Sequence, residues 1–597
     1  MPFDARDLPN VNALWAALLV EELIRQGVGL FVVAPGSRSA PLAVAVARAA
    51  AEGRTDWLVH PDERAAAFVA LGWGRATGRP AAVVTTSGTA VANLLPAVVE
   101  ADAAGVPLLL LTADRPPELR ETGANQTIRQ PGIFGSFVRW SLDVPPPDAA
   151  VDPAFVLTTA AHAAARSLAP AGPVHLNLAF REPLGWEPDG TDTAALAAGV
   201  QRRTFSNRSY TDTSVHDAPV GVGDLAGRLA GVERGLVVLG PTDDPDVAPA
   251  VAALAARLGW PMLPDVASQG RLGEPVEAIA YYDLALASTE FAASHRPEAV
   301  VLVGGRPVSK RLLTLVDGAR PEPYVVVRPD PARFDPAHVV TDRIVADPVG
   351  FCELLAERLP PAPPPSEWAQ DWRRASEAAE AAAVTEIGRD LSEPFVARTT
   401  AARTPSALVL AASMPIRDVD MFALSRGPER FVFANRGASG IDGTVATAHG
   451  VARGHLLGFG EPVVLLIGDL ALLHDQTSLM LLRSGPPVVV VVVNNDGGGI
   501  FHFLPVARGA SPLPADVFEA AFGAPHGLTF AHAAAQFGLA YHAPTTADDF
   551  EAALDAALAS GASAVIEVRT DRTANEALHA RITRAAAAAV DALVAAE

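Results

Sequence analysis

The sequence predicts an α/β protein built on parallel sheets, and three observations predict it. Short apolar runs rich in Val, Leu and Ile recur along the chain. Each run is continuous rather than alternating, the pattern of a strand buried on both faces. Ala- and Leu-rich helical stretches separate the runs, and strand alternating with helix marks doubly wound sheets rather than a sandwich. In order, the predicted strands are Leu30–Ala34, Ala82–Thr86, Leu108–Thr112, Leu236–Gly240, Ala299–Gly304, Val463–Gly468 and Val488–Asn494.

A chain of 597 residues is too long for one hydrophobic core. Two polar or proline-rich stretches, Trp186–Asp217 and Leu359–Glu367, read as linkers. They predict three domains, at residues 1–190, 218–359 and 368–597. The first and third share an internal pattern. Pro80 leads a strand into Ser87-Gly88-Thr89, and Pro462 leads one into Ile467-Gly468-Asp469. From Gly88 to Pro107 is 19 positions, and from Gly468 to Pro487 is also 19. The match suggests two related domains flanking a third, although unrelated strand–helix–strand units have similar lengths.

Half the residues are apolar (50%) and 19% are charged, which is ordinary folded-protein composition. A formal net charge of −21 argues against nucleic acid or anionic membrane as the main partner, because phosphate binding needs a basic surface. Local Arg clusters for small anions remain compatible with it. The single cysteine, Cys352, excludes an intrachain disulfide and follows Phe351 in an apolar helical pattern, as a core residue would. The N-terminus lacks the basic-then-apolar pattern of a signal peptide, and Pro487–Val493 is far short of the roughly 20 residues of a membrane span. Cytoplasmic localisation is the expectation.

Ligands of an open parallel sheet sit beyond the carboxyl ends of its strands. Gly468-Asp469 ends one predicted strand, and Asn494-Asn495-Asp496-Gly497-Gly498-Gly499 ends the next. Asp469 offers a hard carboxylate, Asn495 an amide oxygen and the Gly run a main-chain carbonyl, an oxygen set that suits Mg2+ with phosphate. The glycines would also let N–H groups approach a phosphate. A loop of turn formers that merely ends strands is the alternative reading.

This arrangement resembles the thiamine-diphosphate enzymes, whose diphosphate motif begins Gly-Asp-Gly and ends Asn-Asn. Leu470 stands at the third position here, a departure that leaves the expected ligands Asp469, Asn495 and the Gly497 carbonyl intact. The resemblance implies pyrimidine-binding, middle (transhydrogenase dIII-like) and diphosphate-binding domains. It also implies a glutamate that assists proton removal from the cofactor. Glu63 fits that position at the start of an Ala-rich helix, with Asp62 as its cap. Read alone, Glu63 is a first-turn glutamate favoured by the helix dipole.

Longer segments narrow the family. They are Ala34–Leu42, Thr85–Ala90, Thr112–Leu119, Gly123–Ile128, Gly304–Arg311, Asn435–Gly443, Phe522–Leu528 and Glu567–Arg572. Together they resemble the 2-succinyl-5-enolpyruvyl-6-hydroxy-3-cyclohexene-1-carboxylate synthases of menaquinone biosynthesis, from about Asn10 to Ile582. The resemblance implies decarboxylation of 2-oxoglutarate and 1,4-addition of the succinyl carbanion to isochorismate. It implies thiamine diphosphate with Mg2+ (or Mn2+), and a homodimer or homotetramer with shared sites.

By the same resemblance Glu63, Ser413, Arg417 and Arg436 are catalytic, and Arg417 and Arg436, with Asn125, hold the succinyl part. Ser37, Arg38, Arg115, Gln126, Lys310 and Arg311 hold isochorismate. Gly88, Ser413, Ile441, Gly468, Gly498, Ile500 and Phe501 face the cofactor, and Phe501 and Leu504 line the cavity. Core packing explains Ile441 and Leu504 equally well, and any single Arg could be a structural ion pair. His60, His526 and His579 read as structural. No His-His pair occurs, which suits a carboligase. Two rivals stand beside this reading: an acetolactate-synthase-like carboligase, whose small substrates need no such cation set, and a non-catalytic cofactor-binding relative.

Overall fold

Continuous Val, Leu and Ile runs can be strands only if both faces are covered, and that is their setting. The computed structural model describes residues 8–200, 208–213, 221–273, 278–361, 366–423, 430–455, 461–509 and 511–595. They fall into two units.

The first unit holds the sheet β1 (Leu30–Val33), β2 (Asp56–Val59), β3 (Ala81–Thr85), β4 (Leu108–Asp114), β5 (Trp140–Val144) and β6 (Pro173–Ala179). Its strands are all parallel, in the order β2-β1-β3-β4-β6-β5. Residues 435–458 and 475–485, from the third part of the sequence, belong to this unit. The reason is close helix packing. Helix Thr444–His455 lies on helix Glu63–Thr77, and a Cβ added at Gly450 would stand 2.0 Å from the Val69 carbonyl oxygen. One at Gly72 would stand 2.1 Å from that of Thr447. Only glycine permits this backbone approach, so Gly450→Ala is expected to cost about 1–3 kcal/mol through overpacking. Chemical denaturation checks it, and a variant as stable as the parent would refute it.

The second unit holds two sheets. One is β7 (Gly235–Leu239), β8 (Met262–Pro264), β9 (Ala299–Val303), β10 (Tyr324–Arg328) and β11 (Asp342–Val345), in the order β11-β10-β9-β7-β8. The other is β12 (Ala407–Leu410), β13 (Phe431–Ala434), β14 (Val463–Gly468), β15 (Val488–Asn494), β16 (Ala540–His542) and β17 (Ala564–Arg569), in the order β13-β12-β14-β15-β17-β16. Numbered from its own first strand, this sheet repeats the order of the first unit's sheet. The repeat in the sequence is thus matched by a repeat in topology. One apolar cluster joins the sheets of this unit, including Leu236, Val300, Trp372, Leu408, Leu466 and Val491.

The two linker stretches carry more structure than their composition suggests. Within Trp186–Asp217, Asp192 caps a helix at Thr193–Ala198, and the Tyr210 N–H donates to Glu22 at 2.8 Å. Residues 201–207 and 214–217 of that stretch, and 362–365 of the other, lie outside the described residues. Leu359 closes helix Pro348–Arg358 and Ser366 caps helix Glu367–Ile387. Cys352 is buried, and burial pushes its thiol up to about 12. No helix among the described residues is long and apolar enough to cross a membrane.

His175 shows how the first sheet handles a buried polar group. On β6, it meets the Thr112 hydroxyl at 2.7 Å and the edge of Phe134, and burial holds it down to about 4. An unfolded chain therefore takes up a proton at His175 as pH falls below 6.5, whereas the folded protein does so only near 4. Its contribution favours folding above 6.5 and is lost on acidification. Asp475 works the other way, because burial lifts it to about 6. The test is therefore a difference. Relative to the parent, His175→Gln should gain up to roughly 1.4 kcal/mol for each pH unit of acidification from 6.5 to about 4. A difference that does not change with pH would refute this.

Candidate cofactor and substrate site

The strand ends of β14 and β15 place Asp469 and Asn495 as the sequence predicts. Asp469 opens helix Asp469–His474, and its Oδ2 accepts the Gly497 N–H at 2.8 Å. His526 Nε2 lies 3.2 Å from the same oxygen. The Leu528 N–H donates to His526 Nδ1 at 3.0 Å, so in the neutral ring the proton sits on Nε2 and is donated to Asp469. His526 therefore belongs to this site and does more than pack. Burial raises Asp469 above the usual carboxylate range, and the Gly497 and His526 hydrogen bonds oppose that shift.

The two asparagines differ in their surroundings. Asn494 donates from Nδ2 to the Leu528 carbonyl (3.0 Å) and to Glu567 (2.7 Å), and its Oδ1 accepts the Asp496 N–H at 3.1 Å. Asn495 donates from Nδ2 to Glu393 Oε1 at 2.9 Å, but its Oδ1 is buried and has no hydrogen-bond partner. An orphaned amide oxygen beside a carboxylate and a strand-end carbonyl is what a hard divalent cation would complete. Burial pushes Glu393 up to about 7, and the Asn495 and Thr570 hydrogen bonds oppose it.

The Gly run is explained differently from the phosphate-contact reading. A Cβ at Gly497 would stand 1.9 Å from the Gly523 carbonyl oxygen, and one at Gly498 would stand 2.2 Å from that of Phe522. The N–H groups are occupied within the chain: Gly497 donates to Asp469, Gly498 to Gly523 and Gly499 to Gly497. Close chain-to-chain contact requires these glycines.

In the first unit Asp62 caps the Glu63 helix, as predicted, accepting the N–H groups of Arg64 (3.0 Å) and Ala65 (3.3 Å). Glu63 is half-buried, and Asn93 donates to its Oε2 at 3.2 Å. Gly88 has φ +86° and gives its N–H to Gln130 Oε1 at 3.2 Å. Gln130, fully buried, also donates to Ala113 and Asn177 and so fixes this corner from beneath.

Two arginines share the carboxyl ends of β1 and β4. Arg38 and Arg115 are both 7% exposed. Arg115 donates to the Ser87 hydroxyl and the Gln126 carbonyl, and Arg38 donates to the Phe180 carbonyl at 3.0 Å. Burial lowers Arg115 and the positive charge of Arg38 lowers it further, with Asp114 opposing. Gln126 lies beside them, donating to the Ser87 carbonyl at 2.9 Å, while Ser37 and Asn125 are exposed. Arg436 is half-buried with its Nε orphaned. The loop that carries Arg436 is held by Glu100, which accepts the N–H groups of Gly437 (2.9 Å) and Ala438 (2.6 Å) and pairs with Arg75.

In the second unit Lys310, Arg311 and Arg417 line one cavity of about 820 Å³ with Arg296 and Phe503. Arg311 pairs there with Asp283, the structural ion pair that any single Arg could make. Phe501 packs its ring on Phe522 at 5.4 Å, and Ile500 is half-buried. Ile441 and Leu504 are 38% and 42% exposed, which excludes core packing as their explanation. Ser413 stands at the corner from β12 into helix Met414–Phe422 with φ 73° and ψ −130°, a conformation close to that of Gly88. Its carbonyl accepts Arg417. Serine in that region costs about 1–3 kcal/mol. Ser413→Gly is expected to raise stability by about 1 kcal/mol while turnover falls with the lost hydroxyl. Paired thermal unfolding and rate measurements check both, and a destabilised variant would contradict it.

Glu393, Glu100, Gln130 and Asn93 escape the sequence reading, and His526 reads there as structural only. None stands in a glycine-marked strand end, and only the fold brings them to the residues they hold.

Comparison with known proteins extends over nearly the whole chain. The family described as "Thiamine pyrophosphate enzyme, N-terminal TPP binding domain" matches residues 15–133. "Middle domain of thiamine pyrophosphate" matches 208–410, and "Thiamine pyrophosphate enzyme, C-terminal TPP binding domain" matches 418–568. A protein of Rubrobacter xylanophilus named 2-succinyl-5-enolpyruvyl-6-hydroxy-3-cyclohexene-1-carboxylate synthase is 54% identical over 588 residues, 97% of this chain and 99% of its own. Proteins of the same name are 50% identical in Salinibacter ruber, over 98% of both chains, and 40% identical in Chlorobium phaeobacteroides, over 96% of this chain and 98% of its own.

Proposed function

The chain belongs to the 2-succinyl-5-enolpyruvyl-6-hydroxy-3-cyclohexene-1-carboxylate synthase family of thiamine-diphosphate enzymes, and from that membership we propose how its own residues carry the reaction. The enzyme decarboxylates 2-oxoglutarate and joins the succinyl unit to isochorismate by 1,4-addition, releasing CO2 in menaquinone biosynthesis. Thiamine diphosphate, when bound, would supply an acidic C2–H whose carbanion can add to a keto group and a cationic thiazolium ring that can take up the electron pair left by CO2. Asp469, Asn495 and the Gly497 carbonyl hold Mg2+ (or Mn2+) at the diphosphate. Glu63 holds the proton at N1′ of the aminopyrimidine.

The observation that carries the substrate reading is the Arg38–Arg115 pair. Two guanidiniums buried side by side, Arg115 held down first by burial and then by the charge of Arg38, call for an anion between them. The nearest carboxylate to Arg38 is Glu182 at 3.8 Å, which is itself 78% exposed and left in water. Isochorismate, a dianion, meets that need, with Gln126, Lys310 and Arg311 as further contacts. Arg417 and Arg436, with Asn125, bind the succinyl carboxylate, and Ser413, whose carbonyl accepts Arg417, acts with them. A carboligase for small monoanions has no use for so many cations.

We also place the enzyme in the cytoplasm as a homodimer or homotetramer, with each cofactor between the pyrimidine domain of one subunit and the diphosphate domain of another. Purified protein with Mg2+, thiamine diphosphate, 2-oxoglutarate and isochorismate should consume isochorismate and release CO2. Turnover of pyruvate in place of 2-oxoglutarate would overturn the substrate assignment, and a monomer in sedimentation would overturn the assembly.

A further inference from the structure

We infer that Glu393 is a positioning residue that reads the two ends of the Asn495 amide and turns its oxygen, not its nitrogen, toward the cation site. The inference deepens the proposed function and rests on Asn495 being a metal ligand.

An amide side chain has two ends of nearly equal size and opposite polarity. Only the oxygen ligates a cation, and the –NH2 end would present two protons to it. Something must therefore choose the orientation. For Asn494 three partners choose it, saturating Nδ2 with Leu528 and Glu567 and Oδ1 with the Asp496 N–H. Asn495 has one acceptor for Nδ2, Glu393 Oε1 at 2.9 Å, and nothing on Oδ1. That Oε1 already accepts the Thr570 hydroxyl, so it meets Asn495 as an acceptor and the contact admits the Nδ2 end alone.

Glu393 is itself held firmly. It is 2% exposed, and it begins helix Glu393–Arg403, where the helix N-terminus favours a carboxylate. The Thr570 hydroxyl, just beyond β17, donates to the same Oε1 at 2.9 Å. On the other side a Cβ at Gly499 would stand 2.6 Å from Asn495 Nδ2, so only glycine leaves room for the amide. A buried carboxylate with no ion-pair partner among the described salt bridges is costly to keep, which asks for a task. Orienting a ligand is such a task, and outer partners of metal ligands typically change metal affinity by about 10–100-fold.

The test measures Mg2+-dependent binding of thiamine diphosphate by calorimetry, apart from turnover. Glu393→Met fills the volume and leaves Nδ2 without an acceptor. Half-saturation should then need about 10–100-fold more Mg2+. Glu393→Gln keeps an oxygen that accepts from Nδ2 and should stay within about threefold of the parent. The double variant Glu393→Met, Asn495→Ala should bind no more weakly than Asn495→Ala alone, because Glu393 acts through that amide. Thermal unfolding without metal or cofactor confirms that each variant folds, and Glu393→Ala replaces the Met variant if that one does not. Normal Mg2+ dependence in Glu393→Met beside a weakened Asn495→Ala overturns the inference and leaves the metal reading standing. Normal Mg2+ dependence in Asn495→Ala overturns the metal reading itself.

Discussion

Turnover of a Glu63→Gln variant is expected to fall by about 10²–10⁴-fold while thiamine diphosphate and Mg2+ still bind. The amide matches the carboxyl in shape, and its oxygen can still accept from Asn93, as Glu63 Oε2 does at 3.2 Å. It cannot take or return a proton, and that is the one thing the proposed role asks of Glu63. Asp62, which caps the helix through Arg64 and Ala65 and accepts the Thr477 hydroxyl at 3.1 Å, keeps the variant's backbone in place. A mere first-turn glutamate would behave differently. Its loss would cost about 0.3–1 kcal/mol of helix stability and leave turnover intact. Exchange of the cofactor C2 proton with solvent, followed by NMR, separates the two readings. Exchange as fast as in the parent would end the proton-holding role.

What the sequence makes legible divides along physical lines. Strands buried on both faces need long apolar runs, so β14 and β15 are visible residue for residue at Val463–Gly468 and Val488–Asn494. Their carboxyl ends are visible because turns and close approaches need glycine. Contacts made across the fold leave no such mark. Gly72 and Gly450 look like weak points of two separate helices, yet they allow the packing that puts residues 435–458 in the first unit. Glu100 is an unremarked helical glutamate until Gly437 and Ala438 are seen to donate to it. Glu393 is likewise invisible, and His526 shows only as part of the Phe522–Leu528 segment, since a residue that holds another need only reach it. Asp469 and Asn495 stand out because their spacing is set by the strands.

The same division explains how a chain of net charge −21 can serve two dianionic substrates. Net charge governs distant attraction, which salt screens within about 8 Å at physiological ionic strength. Affinity at the proposed site depends on the few cations kept out of water. Arg38 and Arg115 are such a buried pair, while Arg311 and Arg417 are half-buried and Lys310 is exposed along one cavity. The exposed acidic surface hardly weakens such contacts, because desolvated charges act at short range and low effective dielectric.

An Asp469→Ala variant should bind thiamine diphosphate at least about 100-fold more weakly, with no response to Mg2+. Asp469 is the only carboxylate of the proposed ligand set, so its loss leaves two neutral oxygens to hold a doubly charged ion against water. Asn495 Oδ1 and the Gly497 carbonyl cannot replace a full charge at that strand end. The substitution also removes the acceptor of the Gly497 N–H and of His526, so the loop after β15 loses its tie to β14. A fold effect must therefore be separated from a binding effect, and linkage does so. A ligand that binds only the native state stabilises it by about 2.7 kcal/mol at 100 times its Kd. The parent's thermal midpoint should rise accordingly when Mg2+ and thiamine diphosphate are added together. The midpoint of Asp469→Ala should not move, whatever its starting value without ligands. An undiminished rise in the variant would remove Asp469 from the cofactor site.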